Sequence, residues 1–266
     1  MRPALPEGLG EPSAWRSVPG GDIGEAWQAE WPDGRVAFVK RTPYDAQIEA
    51  DGLEALRAAG APVPTVLGVA AHTLVLEWVD GPSAWDALGQ ALAHVHRSAH
   101  GHTDFGWHAD NRLGSLVQRN TWHADWGEFY AERRLRPFLS ASALTADIRD
   151  RLERALDGPV QALLNAHGPN PALVHGDLWA GNVVGGRWLI DPAVALADRE
   201  LDLAFVQVFG GFPDVFFAAY DEVWPLPDGW QQRRPALQLY HLLAHVKLFG
   251  AGYVDSVVAR LDQLGW

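Results

Sequence analysis

The chain has 266 residues, 48% of them hydrophobic, no cysteine and a formal net charge of −12. That is enough apolar material for one large domain or two modest ones, while the lack of cysteine excludes disulfides, thiolate catalysis and Cys-based zinc sites. The acidic balance argues against nucleic acid or an anionic membrane as a partner, and an anionic substrate would need a local cation or a metal to hold it.

The opening stretch MRPALPEGLGEPSAW has no continuous apolar run, which predicts no secretory signal. Two strands, EAWQAEW and RVAFVK, are expected to pair across the turn residues PDG. DAQIEADGLEALRAAG reads as a helix, with Ile48, Leu53, Leu56 and Ala59 at helical spacing and Gly60 as the stop. VPTVLGVA and HTLVLEWV add two strands, DGPS breaks the pattern, and the composition then turns helical. WDALGQALAHVHRSAH, DWGEFYAERRLRPFL, DIRDRLERALDGPVQALLNAH and RPALQLYHLLAHVKLFG all carry amphipathic spacing. Between the last two lies a strand-rich island, LVHGD to WLIDPAV. FVQVFGGFPDVFFAAY is broken by Gly, Pro and Asp short of the roughly 20 residues a spanning helix needs. A cytoplasmic protein is therefore expected, with a strand-rich N-lobe over residues 1–80, a larger, mainly helical C-lobe over 81–266, and a cleft between them.

The chemistry is concentrated in the island. Asp177 is followed five residues later by Asn182 and nine further on by Asp191, an all-oxygen set that suits Mg²⁺ held partly by substrate phosphates. Asn182 and Asp191 would take the metal, leaving Asp177 to accept a proton from an attacking hydroxyl, as the corresponding loop residues do in protein kinases. The N-lobe supplies further candidates in kinase order. Gly20, Gly21 and Gly24 could let backbone approach phosphates, and Lys40 ends a strand where a phosphate-binding lysine would sit. Glu49 on the following helix could pair with Lys40, and Glu77, Trp78 and Val79 could offer backbone groups to adenine.

Blander readings compete at several positions. His175 is expected to brace its loop by hydrogen bonding, and Asp202 to tie the loop's backbone. Trp179 could be core packing or a pocket wall. His241 and His245 have the i, i+4 spacing of a zinc helix, but HLLAH lacks the Glu of HExxH. His94, His96, His100, His102 and His108 read as helix and loop surface.

HGDLWAGN, residues 175–182, together with FVK, EADGLEAL, LVLEWV, LGSLVQRNTWHADWGEFYAERRL and IDPAVALADRELDLA, resembles the fructosamine kinase (ketosamine-3-kinase) family. Gly24 departs from it, standing where the family commonly has Asn. The resemblance implies a two-lobed, protein-kinase-like α+β fold and ATP- and Mg²⁺-dependent phosphorylation of a ketoamine's sugar 3-hydroxyl, with loss of the amine as the outcome. It carries over Asp177 as proton acceptor, Asn182 and Asp191 as metal ligands, Lys40 with Glu49 on the phosphate side, and Glu77 to Val79 as the adenine hinge. Trp179 would wall the sugar pocket. Any dimer would be non-covalent, as would follow for a monomer or dimer without cysteine. The alternatives are an aminoglycoside kinase, for which Asp214, Asp221, Glu222 and Asp228 offer only a loosely spaced acidic patch, a choline kinase, which would want aromatics facing the cleft, and a silent nucleotide-binding module.

Overall fold

The computed structural model describes residues 2–18, 25–98 and 101–266. Its N-lobe is an antiparallel five-stranded sheet in the order β1-β2-β3-β5-β4, comprising β1 (Ala14–Ser17), β2 (Glu25–Glu30), β3 (Val36–Arg41), β4 (Val66–Ala70) and β5 (Thr73–Glu77). β2 and β3 form the expected hairpin, placing Ala26 opposite Lys40. The period-2 alternation sorts their side chains. Ala29, Ala37, Val39 and Val75 join Trp31 on one face of the sheet, under Leu5 and Leu9 of the N-terminal segment. Leu74 and Leu76 point the other way, onto helix α1 (Gln47–Ala58). The apolar stripe of α1, Ala50, Leu53 and Leu56, meets them there, and burying each leucine contributes roughly 1.5–3 kcal/mol.

That second cluster does not stop at the lobe boundary. It runs on into Leu88, Leu92 and Val95 of α2 (Trp85–Arg97), so the two lobes share apolar packing behind the cleft. The C-lobe continues with the hairpin β6 (Asn111–Leu113) and β7 (Leu116–Gln118), and α3 (Trp126–Phe129) running into a wide π-type turn over Tyr130–Leu135. Then come α4 (Ala146–Leu156), α5 (Pro159–Asn165) and β8 (Ala172–Val174). The short strands β9 (Val183–Val184), β10 (Trp188–Leu189) and β11 (Ala195–Ala197) precede α6 (Glu200–Phe209), α7 (Asp214–Val223), α8 (Trp230–Phe249) and α9 (Val254–Leu264).

Two expected helices are broken. DIRDRLERALDGPVQALLNAH divides because Gly158 takes a φ of 123° and Pro159 cannot continue the α4 ladder, though it starts α5 well. DWGEFYAERRLRPFL holds α geometry for one turn only before widening, then closes in a 3₁₀ turn containing Pro137. Among the described residues no helix is long and apolar enough to cross a membrane.

Candidate active site

β8 and β11 pair antiparallel, and the hairpin β9–β10 lies between them in sequence. The chain from His175 to Asn182 is thereby a loop clamped at both ends. Gly176 must be glycine: its φ is 81°, and a Cβ there would sit 2.0 Å from the Ala193 carbonyl oxygen. The backbone around it is almost fully subscribed. Asp202 of α6, wholly buried, accepts the His175 N–H at Oδ2 (2.7 Å) and the Gly176 N–H at Oδ1 (2.9 Å). Ala193 N–H donates to the His175 carbonyl, and His241 Nε2 of α8 lies 2.8 Å from the Gly176 carbonyl. Burial drives the His241 ring down to about 3, so it stays neutral, donates from Nε2 and stacks flat on Phe205. Burial likewise lowers His175, whose Nε2 faces the Ile190 carbonyl at 3.0 Å while Nδ1 accepts the Asp177 N–H. The carbonyl can only accept, so the proton resides on Nε2 and this ring braces the loop.

Asp177 emerges half-buried from this frame. Asn182 Nδ2 donates to both its carbonyl (2.8 Å) and its carboxylate Oδ2 (3.1 Å). Burial, reinforced by the negative charge of Asp191, pushes the Asp177 carboxyl up to about 7 despite the Asn182 hydrogen bond. Across the cleft, Lys40 of β3 places Nζ 2.9 Å from Glu49 Oε2 and 2.6 Å from Asp191 Oδ1. Burial favours a neutral lysine, but the two carboxylates overturn it and hold Lys40 firmly protonated. For Asp191 burial also yields, here to the Lys40 charge, and the carboxyl falls below its usual range. Glu49 goes the other way: burial outweighs Lys40 and raises it to about 7. Asp191 is the only non-glycine residue with positive φ among the described residues, at 53°. Such backbone conformations gather at functional sites, where the surroundings impose them.

Five of the candidate residues, Lys40, Glu49, Asp177, Asn182 and Asp191, thus meet in one cluster drawn from both lobes. Gly20, Gly21 and Gly24 lie outside the described residues. Glu77 ends β5, between β3 and β4, and turns its side chain to Thr65, whose hydroxyl (2.6 Å) and N–H (3.2 Å) lower its pKa. Its carboxylate therefore staples the end of β5 to the residue preceding β4, where the Glu77 N–H also donates to the Thr65 carbonyl (2.8 Å). The linker beyond is tied to the C-lobe hairpin by Trp188 Nε1 to the Asp80 carbonyl and by Ala84 N–H to the Gly186 carbonyl. Trp179 is no core residue: 36% of it is exposed, and its ring meets Phe209 edge-on. Gly181 is what lets that ring fold over the loop, since a Cβ there would come within 2.3 Å of it.

His96 corrects the surface reading of the α2 histidines. It is buried, with Nε2 3.2 Å from Asp202 Oδ2 and Nδ1 2.9 Å from the Tyr220 hydroxyl, whereas His94, His102 and His108 are exposed. Behind Asp191 lies an amide network that the sequence did not reveal. Asn111 and Gln118 donate to the Val194 and Ala193 carbonyls, and Asn120 and Arg134 close the chain of bonds. The one signal for it was polar residues inside the short, strand-like stretch NRLGSLVQRN. A second carboxylate–histidine group, His167, Asp198 and Glu200, is an ion-pair cluster in which Arg233 occupies both oxygens of Glu200.

The Asp177 cluster suits a divalent cation. Its donors are hard oxygens, and Asn182 spends its Nδ2 on Asp177, leaving the amide oxygen for a metal. Three carboxylates, Glu49, Asp177 and Asp191, surround the one ammonium of Lys40, and burial, with the Asp191 charge behind it, raises Glu49 and Asp177. Among the described residues the buried Glu49 Oε1 has no hydrogen-bond partner.

The profile of the fructosamine kinase family matches residues 7–265. A protein from Synechocystis sp. PCC 6803, named probable ketoamine kinase, is 40% identical over 231 residues, covering 82% of this chain and 77% of its own. A namesake from Lactiplantibacillus plantarum is 36% identical, covering 92% of each. Among solved structures, a candidate fructosamine-3-kinase from Thermobifida fusca superposes with a TM-score of 0.86 at 38% identity, covering 96% of this chain and 94% of its own.

Proposed function

Since this chain belongs to the fructosamine kinase family of phosphotransferases, we propose that it transfers the γ-phosphoryl group of ATP to the sugar 3-hydroxyl of a ketoamine, the adduct of a reducing sugar with an amine. The observation that carries this reading is Lys40 reaching from the N-lobe sheet to Asp191 of the C-lobe, beside the Asp177–Asn182 pair. Phosphoryl transfer asks a protein for alignment and charge neutralisation more than covalent help. Lys40, oriented by Glu49, binds the phosphates from the N-lobe side, and the backbone of residues 77–79 receives adenine. Asn182 and Asp191 would hold Mg²⁺, which when bound offsets phosphate charge. Asp177 takes the proton from the 3-hydroxyl as that oxygen attacks, and its raised pKa makes it a competent acceptor near neutrality. The exposed face of Trp179 packs against the C–H side of the sugar. The 3-phosphate so formed is unstable and releases the amine, so the net effect is deglycation, which we place in the cytoplasm.

The test is ATP consumption with ribulosyl-lysine and fructosyl-lysine side by side. Turnover should fall by about 10²–10⁴-fold in Asp177→Asn, the usual worth of a general base, with nucleotide affinity retained because Lys40, Asn182 and Asp191 remain. A folded protein that binds Mg-ATP yet phosphorylates neither compound would sink the ketoamine assignment.

A further inference from the structure

The C-lobe carries a second concave surface, and none of its lining residues belongs to the cluster above. Two adjoining cavities, of about 160 and 530 Å³, share Arg234 and Gln263. The smaller is lined by Gln207 of α6, Arg234 and Gln238 of α8, and Arg260 and Gln263 of α9. Two arginines thus line one small cavity among neutral amides.

Their hydrogen bonds set them apart from neighbouring arginines. Arg233 is matched by Glu200 and Arg151 by Asp262. Arg234 instead donates to Gln207 Oε1 (2.6 Å), and Arg260 to Gln238 Oε1 (2.5 Å). The Gln238 amide orientation is fixed, because its Nε2 is committed to the Ala204 carbonyl at 2.9 Å. Among the described residues neither Arg234 nor Arg260 forms an ion pair, in a chain with 33 acidic residues against 21 basic ones. Bringing like charges together without a counter-ion is unfavourable, and burial together with the Arg234 charge does depress Arg260. The arrangement is relieved by an anion that both forks can grip.

We infer that the smaller cavity binds a phosphate dianion between Arg234 and Arg260. Planar guanidinium forks match phosphate oxygens bidentately, and two of them balance its double charge. The cavity, of about 160 Å³, has ample room for one tetrahedral oxyanion. The larger cavity, with Leu163, Pro235, Leu264 and Trp266 on its walls, could take the organic part of a phosphate monoester. An anion held here ties α8 to α9, and through Gln207 to α6.

The full chain is titrated with orthophosphate and with phenyl phosphate at constant ionic strength set by chloride, following heat of binding and melting temperature. Saturable binding is expected, weakened about tenfold or more in Arg260→Gln, as for loss of a charge-assisted hydrogen bond. Gln207→Glu is the second variant: it gives Arg234 an internal carboxylate, so it should fold at least as stably as the parent and still lose the anion. Equal affinity for the two compounds identifies free phosphate as the ligand, and tighter phenyl phosphate identifies a monoester reaching the larger cavity. Binding that chloride reproduces, or that persists unchanged in both variants, overturns the site.

Discussion

At the scale of single residues, the base proposed here, Asp177, should set the pH behaviour. Only its ionised form can accept a proton, and burial with the Asp191 charge pushes it up to about 7. We predict that log kcat/KM rises with pH through about 7 and levels off above it, as free-enzyme profiles report an essential base. A flat profile from pH 6 to 8 would remove Asp177 from that role. The same shift has a stability consequence of opposite sense. The folded value lies above the ordinary 3.8, so the native state holds a proton that the unfolded chain releases between about pH 4 and 7. Stability without metal therefore falls as pH rises through that window. Asp177→Asn escapes the penalty and should melt a few degrees above the parent at pH 8 in chelator, the two converging at pH 4. The spacing of Asp177, Asn182 and Asp191 was legible because a tight loop forces its chemistry into a short stretch. His96 was misread because periodicity on α2 cannot reveal a partner 106 residues away.

At the scale of elements, helices hold the loop in addition to its own contacts. α6 presents Asp202 to two of its N–H groups, and α8 presents His241 to a carbonyl. Asp202 itself is kept ionised against burial by its hydrogen bond with His96, with help from Gly176 N–H. Asp202→Asn turns an acceptor oxygen into an N–H donor facing a backbone N–H. It should cost about 2–4 kcal/mol in chemical denaturation and lower kcat while the KM for ATP moves little. Unchanged kcat in a folded variant would make Asp202 a fold residue alone. That Asp202 ties the loop's backbone could be foreseen from its place near the start of an apolar helix. His241 could not, because HLLAH looks the same whether it packs, ligates or props a carbonyl. The break at Gly158–Pro159 was equally open: two residues in a strongly amphipathic stretch decided against one long helix.

At the scale of the whole molecule, the Lys40–Asp191 pair joins positions 151 apart and couples the lobes electrostatically where the shared apolar cluster couples them by packing. Removing the charge in Lys40→Met leaves Glu49 and Asp191 facing each other in a buried site. Both carboxyls would then be raised, so the variant's stability should fall as pH rises. Its deficit relative to the parent should widen from pH 6 to pH 8, approaching about 3–5 kcal/mol, the usual cost of an orphaned buried charge. A deficit independent of pH, measured by denaturant melts, would mean that Lys40 acts by packing. Composition, turn chemistry and hydropathy period pointed to the two lobes, the β2–β3 hairpin and the Asp177–Asn182–Asp191 spacing, because those depend on residues near one another in the chain. Tertiary structure alone decided which histidines are buried, how Glu77 spends its carboxylate, that one apolar cluster runs through both lobes, and that Arg234 and Arg260 line one cavity with no ion pair among the described residues. Each of those outcomes is set by groups distant in sequence, whose meeting depends on how whole elements pack.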